Sequence, residues 1–330
     1  MKKSIAIIGN GKVAKSLTIG LLRSGVKKES ILIIGRSWDA LCYFREIGFD
    51  TSIDIKQAND ISNIILAVTP FGIGPWIKRL HTLNWYSNQK LICICSGIDI
   101  KSSAKFLGID PGYMVKATIN TNVEYSHGII CLSKPKSPSK LDEQILSETK
   151  DLFQNLGNVI FETKDDVTKS ILSVGSMNAF DSKFIEKLIQ KENIPIEKWL
   201  SKIKEWLNEC KNFDQITKSH KNFIVADYIK NKANVFVDQM NYSKNKAKIR
   251  AYETFKSTVL TLCCIPDITL NDIDLHVKKV ITKGGCTEKG ISNLNTLENF
   301  LSFKDFSNAI LPAYERTLKF ENDALQSFIE

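Results

Sequence analysis

The 330-residue chain predicts an α/β protein, with a doubly wound, mostly parallel sheet in its N-terminal half and an all-α C-terminal half. Three observations lead there. Residues 5–17, IAIIGNGKVAKSL, read as a buried strand, a glycine turn and the start of a helix. Short apolar runs then alternate with helical stretches to about residue 161, the pattern of parallel strands joined by helical crossovers. Beyond about residue 165 strand patterns nearly vanish and long helical periodicity takes over. The expected division is therefore 1–163 and 164–330. A hydrophobic content of 43% suffices to fill two cores.

The glycine turn is the first turn of a Rossmann domain, in a GxGxxA arrangement. Gly9 permits the tight turn, Gly11 lets the backbone approach a pyrophosphate, and Ala14 takes the helix-packing position. With Asn10, Lys12 and Val13 they form a candidate phosphate site at a helix N-terminus. The helix should run from Lys12 to Ser24, and the next strand, Ile31 to Ile34, ends at Gly35-Arg36-Ser37. This is where a dinucleotide's adenosine ribose belongs. A site strict for NAD usually places a carboxylate there; Arg36 and Ser37 suit a 2′-phosphate, so NADP(H) is favoured over NAD(H).

A strand over Ile61 to Val68 ends at Ala67-Val68-Thr69-Pro70, and one over Leu91 to Cys95 ends at Ser96-Gly97, with a helix Gly74 to Leu83 between them. Ligands bind at the carboxyl ends of parallel strands, which makes both tips cofactor candidates. Residues 113–134 read as two short strands around Asn120-Thr121-Asn122, 137–155 as an amphipathic helix and 157–161 as the last strand. In the helical half, Ser176 to Gln190 is a helix approached through Gly175. Residues from Ile194 to about Lys248 are rich in Lys and Asn, with aromatics interspersed. A further helix, Ala251 to Cys264, turns at Pro266-Asp267 and leads to ITKGGCTEKG over 281–290 and two closing helices.

Composition narrows the partners. The net charge of +9 is concentrated between Lys183 and Arg250, and solvated faces of amphipathic helices with inward aromatics explain it better than a nucleic-acid surface. Eight cysteines form no CxxC pair and four histidines lack ligand spacing, so no disulfide and no metal is expected. The first apolar run stops at Gly9, too short for a signal sequence, and no run has bilayer length; a cytoplasmic protein without membrane contact is expected.

At this point particular segments resemble the pyrroline-5-carboxylate reductase family. IAIIGNGKVAKSLTIGLLRSG, LAVTP and LICICSGI are similar to that family's dinucleotide domain. VGSMNAFDSKFIEKL and VITKGGCTEKGI are similar to its helical half, where the family writes SGSGPAYVFLFIEAL and VTSPGGTTIAGL. The resemblance covers 1 to about 190 and about 250 to 330. It implies an NADPH-dependent reduction of 1-pyrroline-5-carboxylate to L-proline by a homodimer joined through its helical domains. It further implies that Asn120 lies beside the nicotinamide. Gly175, Ser176, Lys283, Gly284, Gly285 and Cys286 would line the substrate, and Thr287 would act as the hydroxyl donor toward the imine nitrogen. Lys116, matching a family Arg, is expected to be structural or at the surface rather than catalytic.

The chain also departs from the family. Ile119 and Asn122 stand where it has prolines, Met177-Asn178 replace a Gly-Pro, and Lys283 replaces the Pro of the Gly-rich loop. The stretch 192–250 is longer than the family's connection. A reductase of a different cyclic imine or imino acid, or a non-catalytic NADP-binding regulator, therefore stands beside the first reading. Imine reduction itself asks only for a held cofactor, excluded water and an oriented substrate, which agrees with a sequence lacking recognisable acid/base spacing.

Overall fold

A computed structural model describes residues 3–326 apart from 87, 96, 97, 99, 134, 136, 220, 221 and 282–284. It divides into two compact units. Unit 1 comprises Met1–Ile119, Ile130–Thr168 and Leu318–Glu330; unit 2 comprises Asn120–Ile129 and Lys169–Thr317.

Unit 1 is built on an eight-stranded sheet. In chain order its elements are β1 (Ile5–Ile8), α1 (Lys12–Arg23), β2 (Ile31–Ile34), α2 (Cys42–Glu46), β3 (Asp50–Ser52), β4 (Asn63–Leu66), α3 (Ile73–Leu80), β5 (Lys90–Cys93), α4 (Ile100–Leu107), β6 (Met114–Ile119), β7 (Gly128–Ser133), α5 (Lys140–Phe153) and β8 (Gly157–Glu162). The spatial order is β3-β2-β1-β4-β5-β6-β7-β8. Neighbouring strands from β3 through β6 pair parallel, and β7 runs antiparallel to β6. A first half of order 3-2-1-4-5-6 is the dinucleotide arrangement, with its switch point between β1 and β4.

The apolar runs dictate this. β1, β2 and β5 are buried along their whole length, as parallel strands covered on both faces must be. The α1 side chains Ala14, Leu17 and Leu21 are buried, and Ile64, Leu66, Trp76, Ile77 and Leu80 belong to one continuous core. In α5, the Ser139 hydroxyl caps the Asp142 N–H while the Asp142 carboxylate accepts from the Ser139 N–H, which fixes where that helix begins. β3 (DTS), α2 (CYFRE) and α4 (IKSSAKFL) escape the sequence reading because none carries an uninterrupted apolar run like those of β1 and β2. Lys116 is fully buried in β6, a structural rather than a surface position.

The remaining elements are α6 (Lys164–Ser173), α7 (Met177–Glu192), α8 (Ile196–Cys210), α9 (Phe213–Lys218), α10 (Phe223–Met240), α11 (Lys244–Leu262), α12 (Leu270–Val280), α13 (Cys286–Ile291), α14 (Leu297–Leu301) and α15 (Phe303–Gln326). In unit 2, α7 packs against α11 and α12, and α10 packs against α11. The long connection is thus three helices, α8 to α10, that enter the core. Trp199, Trp206, Tyr228, Phe236 and Tyr242 are buried there, so these aromatics are not available to stack on nucleic-acid bases; Phe223 is the exposed exception. Phe184 of α7 stacks on Tyr228 of α10 with centroids 4.0 Å apart, and Phe255, Phe300 and Phe306 pack edgewise or tilted around Tyr228.

Inside this aromatic cage sits an ion pair. Lys232 Nζ of α10 lies 2.6 Å from Asp181 Oδ1 of α7, and neither side chain has any exposed surface. Lys232 also donates to Thr254 Oγ1 at 2.9 Å, and the Tyr228 hydroxyl donates to Asp181 Oδ1 at 2.8 Å. Burial pushes the Asp181 carboxyl up and the Lys232 ammonium down, and each partner opposes the other's shift. Such a pair adds little over an apolar replacement, but breaking it is costly. Lys232→Met should destabilise the chain by about 3–5 kcal/mol in urea unfolding followed by helical circular dichroism. Asp181→Leu combined with Lys232→Met should recover most of that loss.

Candidate cofactor and substrate sites

The register of unit 1 brings the cofactor candidates that follow β1, β2 and β4 to the carboxyl-terminal end of the sheet. Ile8 pairs with Ile34 on one side and Leu66 on the other, so the turns after β1, β2 and β4 leave the sheet at the same level. The ladder continues one residue further, with Gly9 N–H donating to Ile34 O at 3.0 Å and Ala67 N–H donating to Ile8 O at 2.8 Å. Gly9 has φ +124°, and a Cβ there would lie 2.1 Å from the Ala67 carbonyl oxygen. Both facts demand glycine.

Gly11 differs. It is the N-cap of α1 with φ −73°, carries no side-chain cap, and a Cβ on it would meet nothing within 4 Å. The first turn of α1 holds no acidic residue, and Lys12 and Val13 supply its first backbone N–H groups. An open backbone at the positive end of a twelve-residue helix fits the pyrophosphate of a dinucleotide. Asn10 is exposed beside it. Arg36 and Ser37 are exposed after β2, and the Ser37 hydroxyl accepts the Ala40 N–H at 3.3 Å. Ala67 is buried, Val68 packs against the core, Thr69 is exposed, and Pro70 opens a short 3-10 turn, Pro70–Gly72. Ser96 and Gly97 lie outside the described residues.

Unit 2 gathers the substrate candidates around the first turns of α7. Gly175 precedes the helix and Ser176 occupies its N-cap position. The Thr287 hydroxyl of α13 donates to Ser176 Oγ at 2.9 Å, and both residues are buried. α13 comes this close because Gly290 has no side chain: a Cβ there would sit 2.6 Å from Phe180 Cζ and 3.0 Å from the Ala309 carbonyl oxygen. Gly285 is the N-cap of α13, so Thr287 is two residues inside the helix rather than its cap. Cys286 accepts a hydrogen bond from the Thr317 hydroxyl at 3.2 Å, and burial raises its thiol pKa, which suits a packing role better than a nucleophile. Lys283 and Gly284 lie outside the described residues.

The structure adds a buried polar chain that sequence reasoning missed. The Asn120 side-chain oxygen accepts the Ile129 N–H at 3.1 Å, while its Nδ2 has no partner among the described residues. Asn178 Nδ2 donates to Thr121 Oγ1 at 2.8 Å and to Asn122 Oδ1 at 3.3 Å. Asn122 Oδ1 also takes the Nε2–H of His276 at 3.0 Å, which leaves His276 Nδ1 to accept from the Ser182 hydroxyl at 2.8 Å. His276 is therefore a neutral imidazole in the Nε2–H form. Burial, with the charge of Lys279 adding to it, lowers its pKa to about 4. Only the spacing of residues 122, 178, 182 and 276 was visible in the sequence, and separations of 56 and 154 residues carry no local signal.

Comparisons with known proteins agree with this architecture. Residues 4–93 match the family model described as NADP oxidoreductase coenzyme F420-dependent. Pyrroline-5-carboxylate reductase 2 of Dictyostelium discoideum is 26% identical over 171 residues, 48% of this chain and 57% of that protein. Pyrroline-5-carboxylate reductase of Haemophilus influenzae is 25% identical over 58% of this chain and 71% of that one. The chain thus spans little more than half the length of the first of these relatives. The crystal structure of Plasmodium falciparum pyrroline carboxylate reductase with NADP bound superimposes with a TM-score of 0.51, covering 97% of this chain and 98% of that one at 16% identity, a likeness of fold. Fold and dinucleotide turn define the class, the NAD(P)-dependent oxidoreductases. Within it, the relatives to which the chain is similar are pyrroline-5-carboxylate reductases.

Two substitutions separate fold from ligand contact at the glycine turn. Gly9→Ala should cost about 1–3 kcal/mol by forcing a left-handed residue against Ala67, and should lower the melting temperature. Gly11→Ala has room and an ordinary φ, so it should melt like the parent yet lose NADPH binding in calorimetry. The neutral His276 predicts a pH dependence. Its folded pKa lies below the unfolded value near 6.5, so its contribution is complete above that pH and is lost as the pH falls toward 4, by up to ~3 kcal/mol. Between pH 7 and 4.5 the melting temperature of His276→Gln should fall less than that of the parent.

Proposed function

We propose that this protein is an NADPH-dependent imine reductase that converts 1-pyrroline-5-carboxylate to L-proline, working as a cytoplasmic homodimer. The observation that carries this reading is the buried hydroxyl pair of Thr287 and Ser176, because it joins the two helical-half segments most similar to the family. NADP(H) rather than NAD(H) is supported by Arg36 and Ser37 at the tip of β2, where a guanidinium and a hydroxyl can meet a 2′-phosphate and no carboxylate opposes it at those two positions.

Bound NADPH would supply the hydride. In unit 1 the open N-terminus of α1 would hold the pyrophosphate, with Gly9, Asn10, Gly11, Lys12 and Val13 shaping the turn and Ala67 to Pro70 flanking it. In unit 2, by resemblance, backbone N–H groups of Gly284 and Gly285 would take the substrate carboxylate, with Gly175, Lys283 and Cys286 around it. The Thr287 hydroxyl, whose proton points to Ser176 Oγ in this structure, would turn it toward the nitrogen of a neutral imine, or keep it on Ser176 and accept from the N–H of a protonated one. A protonated imine is already electrophilic, so a neutral hydroxyl suffices to orient it and to manage its proton. By resemblance Asn120 would serve the cofactor; its Nδ2, without a partner among the described residues, is a donor suited to a carboxamide oxygen.

A second reading is favoured by one observation. Asn178 stands where the family has proline, and its buried Oδ1 has no partner among the described residues. An acceptor there would select an imine carrying an additional hydrogen-bond donor, so a related cyclic imine is the alternative substrate.

The test is NADPH oxidation, followed by the nicotinamide absorbance, with 1-pyrroline-5-carboxylate and an NADH control. Turnover with NADPH is expected, and Thr287→Val should lower kcat/KM on the order of 10²-fold. Tight NADPH binding with no turnover would overturn the substrate. Activity with other cyclic imines would then support the alternative, and inactivity with all of them a regulatory binding protein.

A further inference from the structure

The end of the sheet that fits the dinucleotide carries one large side chain that the reading above leaves unused. Trp38 is 48% exposed, whereas Trp76, Trp199 and Trp206 are nearly fully buried. It directly follows Arg36 and Ser37 in the turn after β2, and it precedes the 3-10 turn Asp39–Leu41. That turn is anchored: Leu41 is fully buried and packs so closely on the end of β2 that a Cβ at Gly35 would meet its Cγ at 2.7 Å. On the other side, the guanidinium carbon of Arg45 in α2 lies 5.6 Å from the centre of the Trp38 ring. The indole is therefore held in place by a cation and an anchored turn while nearly half of its surface faces water.

Exposed aromatics scattered singly need no explanation, but this one has a position that supplies one. A dinucleotide with its pyrophosphate at the N-terminus of α1 and its ribose at Arg36 and Ser37 must send its base one step further from β1, which is where the chain reaches Trp38. A flat, positioned indole is a stacking surface for a purine, and its binding to a π-face is indifferent to the ribose substituents. On the reading that unit 1 takes NADP(H), we infer that Trp38 is the platform on which the adenine of the dinucleotide stacks, with Arg45 holding the ring in register.

The probe is adenosine 2′,5′-bisphosphate, which has the adenine and the 2′-phosphate but no nicotinamide. Added to the full chain, it should quench the tryptophan emission that iodide also reaches. Trp38→Ala should weaken its binding about tenfold or more in calorimetry, and Trp38→Phe should keep the affinity within a few-fold while losing the quench. Arg36→Ala should weaken adenosine 2′,5′-bisphosphate but not 5′-AMP, with the quench retained for both. If the parent binds the probe with its emission unchanged and Trp38→Ala binds it equally well, the platform is refuted while the cofactor reading survives. If the parent binds neither the probe nor NADPH, both fall.

Discussion

The helical unit depends on the demand of one buried helix for polar partners. α7 carries Ser176 at its N-cap and Asn178, Asp181 and Ser182 along its first two turns, all buried, and each finds its partner on a different segment. Ser176 meets Thr287 of α13, Asn178 meets Thr121, Asp181 meets Tyr228 and Lys232 of α10, and Ser182 meets His276 of α12. An unmade hydrogen bond at any of these places would cost more than the bond contributes when made. Apolar side chains could slide past one another at small cost, whereas these four fix the register of three helices and one loop on α7. Unusually for a structural network, it lies in the same turns that present the candidate substrate residues. Positioning of Thr287 is thereby tied to the stability of the unit.

The sheet unit solves a different problem by different means. Its strands are apolar and nearly uniform, so they supply no chemistry of their own; what they supply is alignment. Parallel pairing at matched register makes the turns after β1, β2 and β4 emerge together, and the choice of residue in each turn then decides what can bind. Glycine at 9 admits a backbone conformation no other residue holds cheaply, glycine at 11 leaves the helix end bare, and a cation with a hydroxyl follows β2. The two units differ in what they present: one a bare helix N-terminus and a positively charged tip, the other neutral hydroxyls and amides. Among the described candidates of unit 2, Asn120, Gly175, Ser176 and Thr287 carry no charged acid or base, which suits chemistry whose difficult step belongs to a cofactor.

The helices α8 to α10 change the meaning of the lysine-rich stretch. Its charge is the wet side of helices whose aromatic side chains fill the core, and one lysine, Lys232, has been drawn inside to meet Asp181. A burial of that kind is weak support for stability, but it makes the pairing of α10 with α7 specific, since either charge alone would be stranded. Met177 and Asn178, where the similar family has Gly-Pro, also serve packing: Met177 joins the core and Asn178 ties α7 to Thr121 and Asn122.

By itself the sequence determined the alternation of strands and helices, the glycine turn and the tip that follows β2, because each of these is written in residues a few positions apart. Glycine at a forced φ, strands with apolar runs and helices begun by serine or threonine are local consequences of backbone sterics and hydrogen bonding. The boundaries it predicted moved by two or three residues, as at β4, seen over Asn63–Leu66 rather than 61–68, and β3, α2 and α4 carry no uninterrupted apolar run to mark them. Only the tertiary structure decided that Thr287 meets Ser176, that His276 is neutral between Asn122 and Ser182, and that Lys232 lies in the core opposite Asp181. Those pairings join residues 51 to 154 positions apart, and a buried polar group reveals its partner only when the chain has folded and water is no longer there to substitute for it.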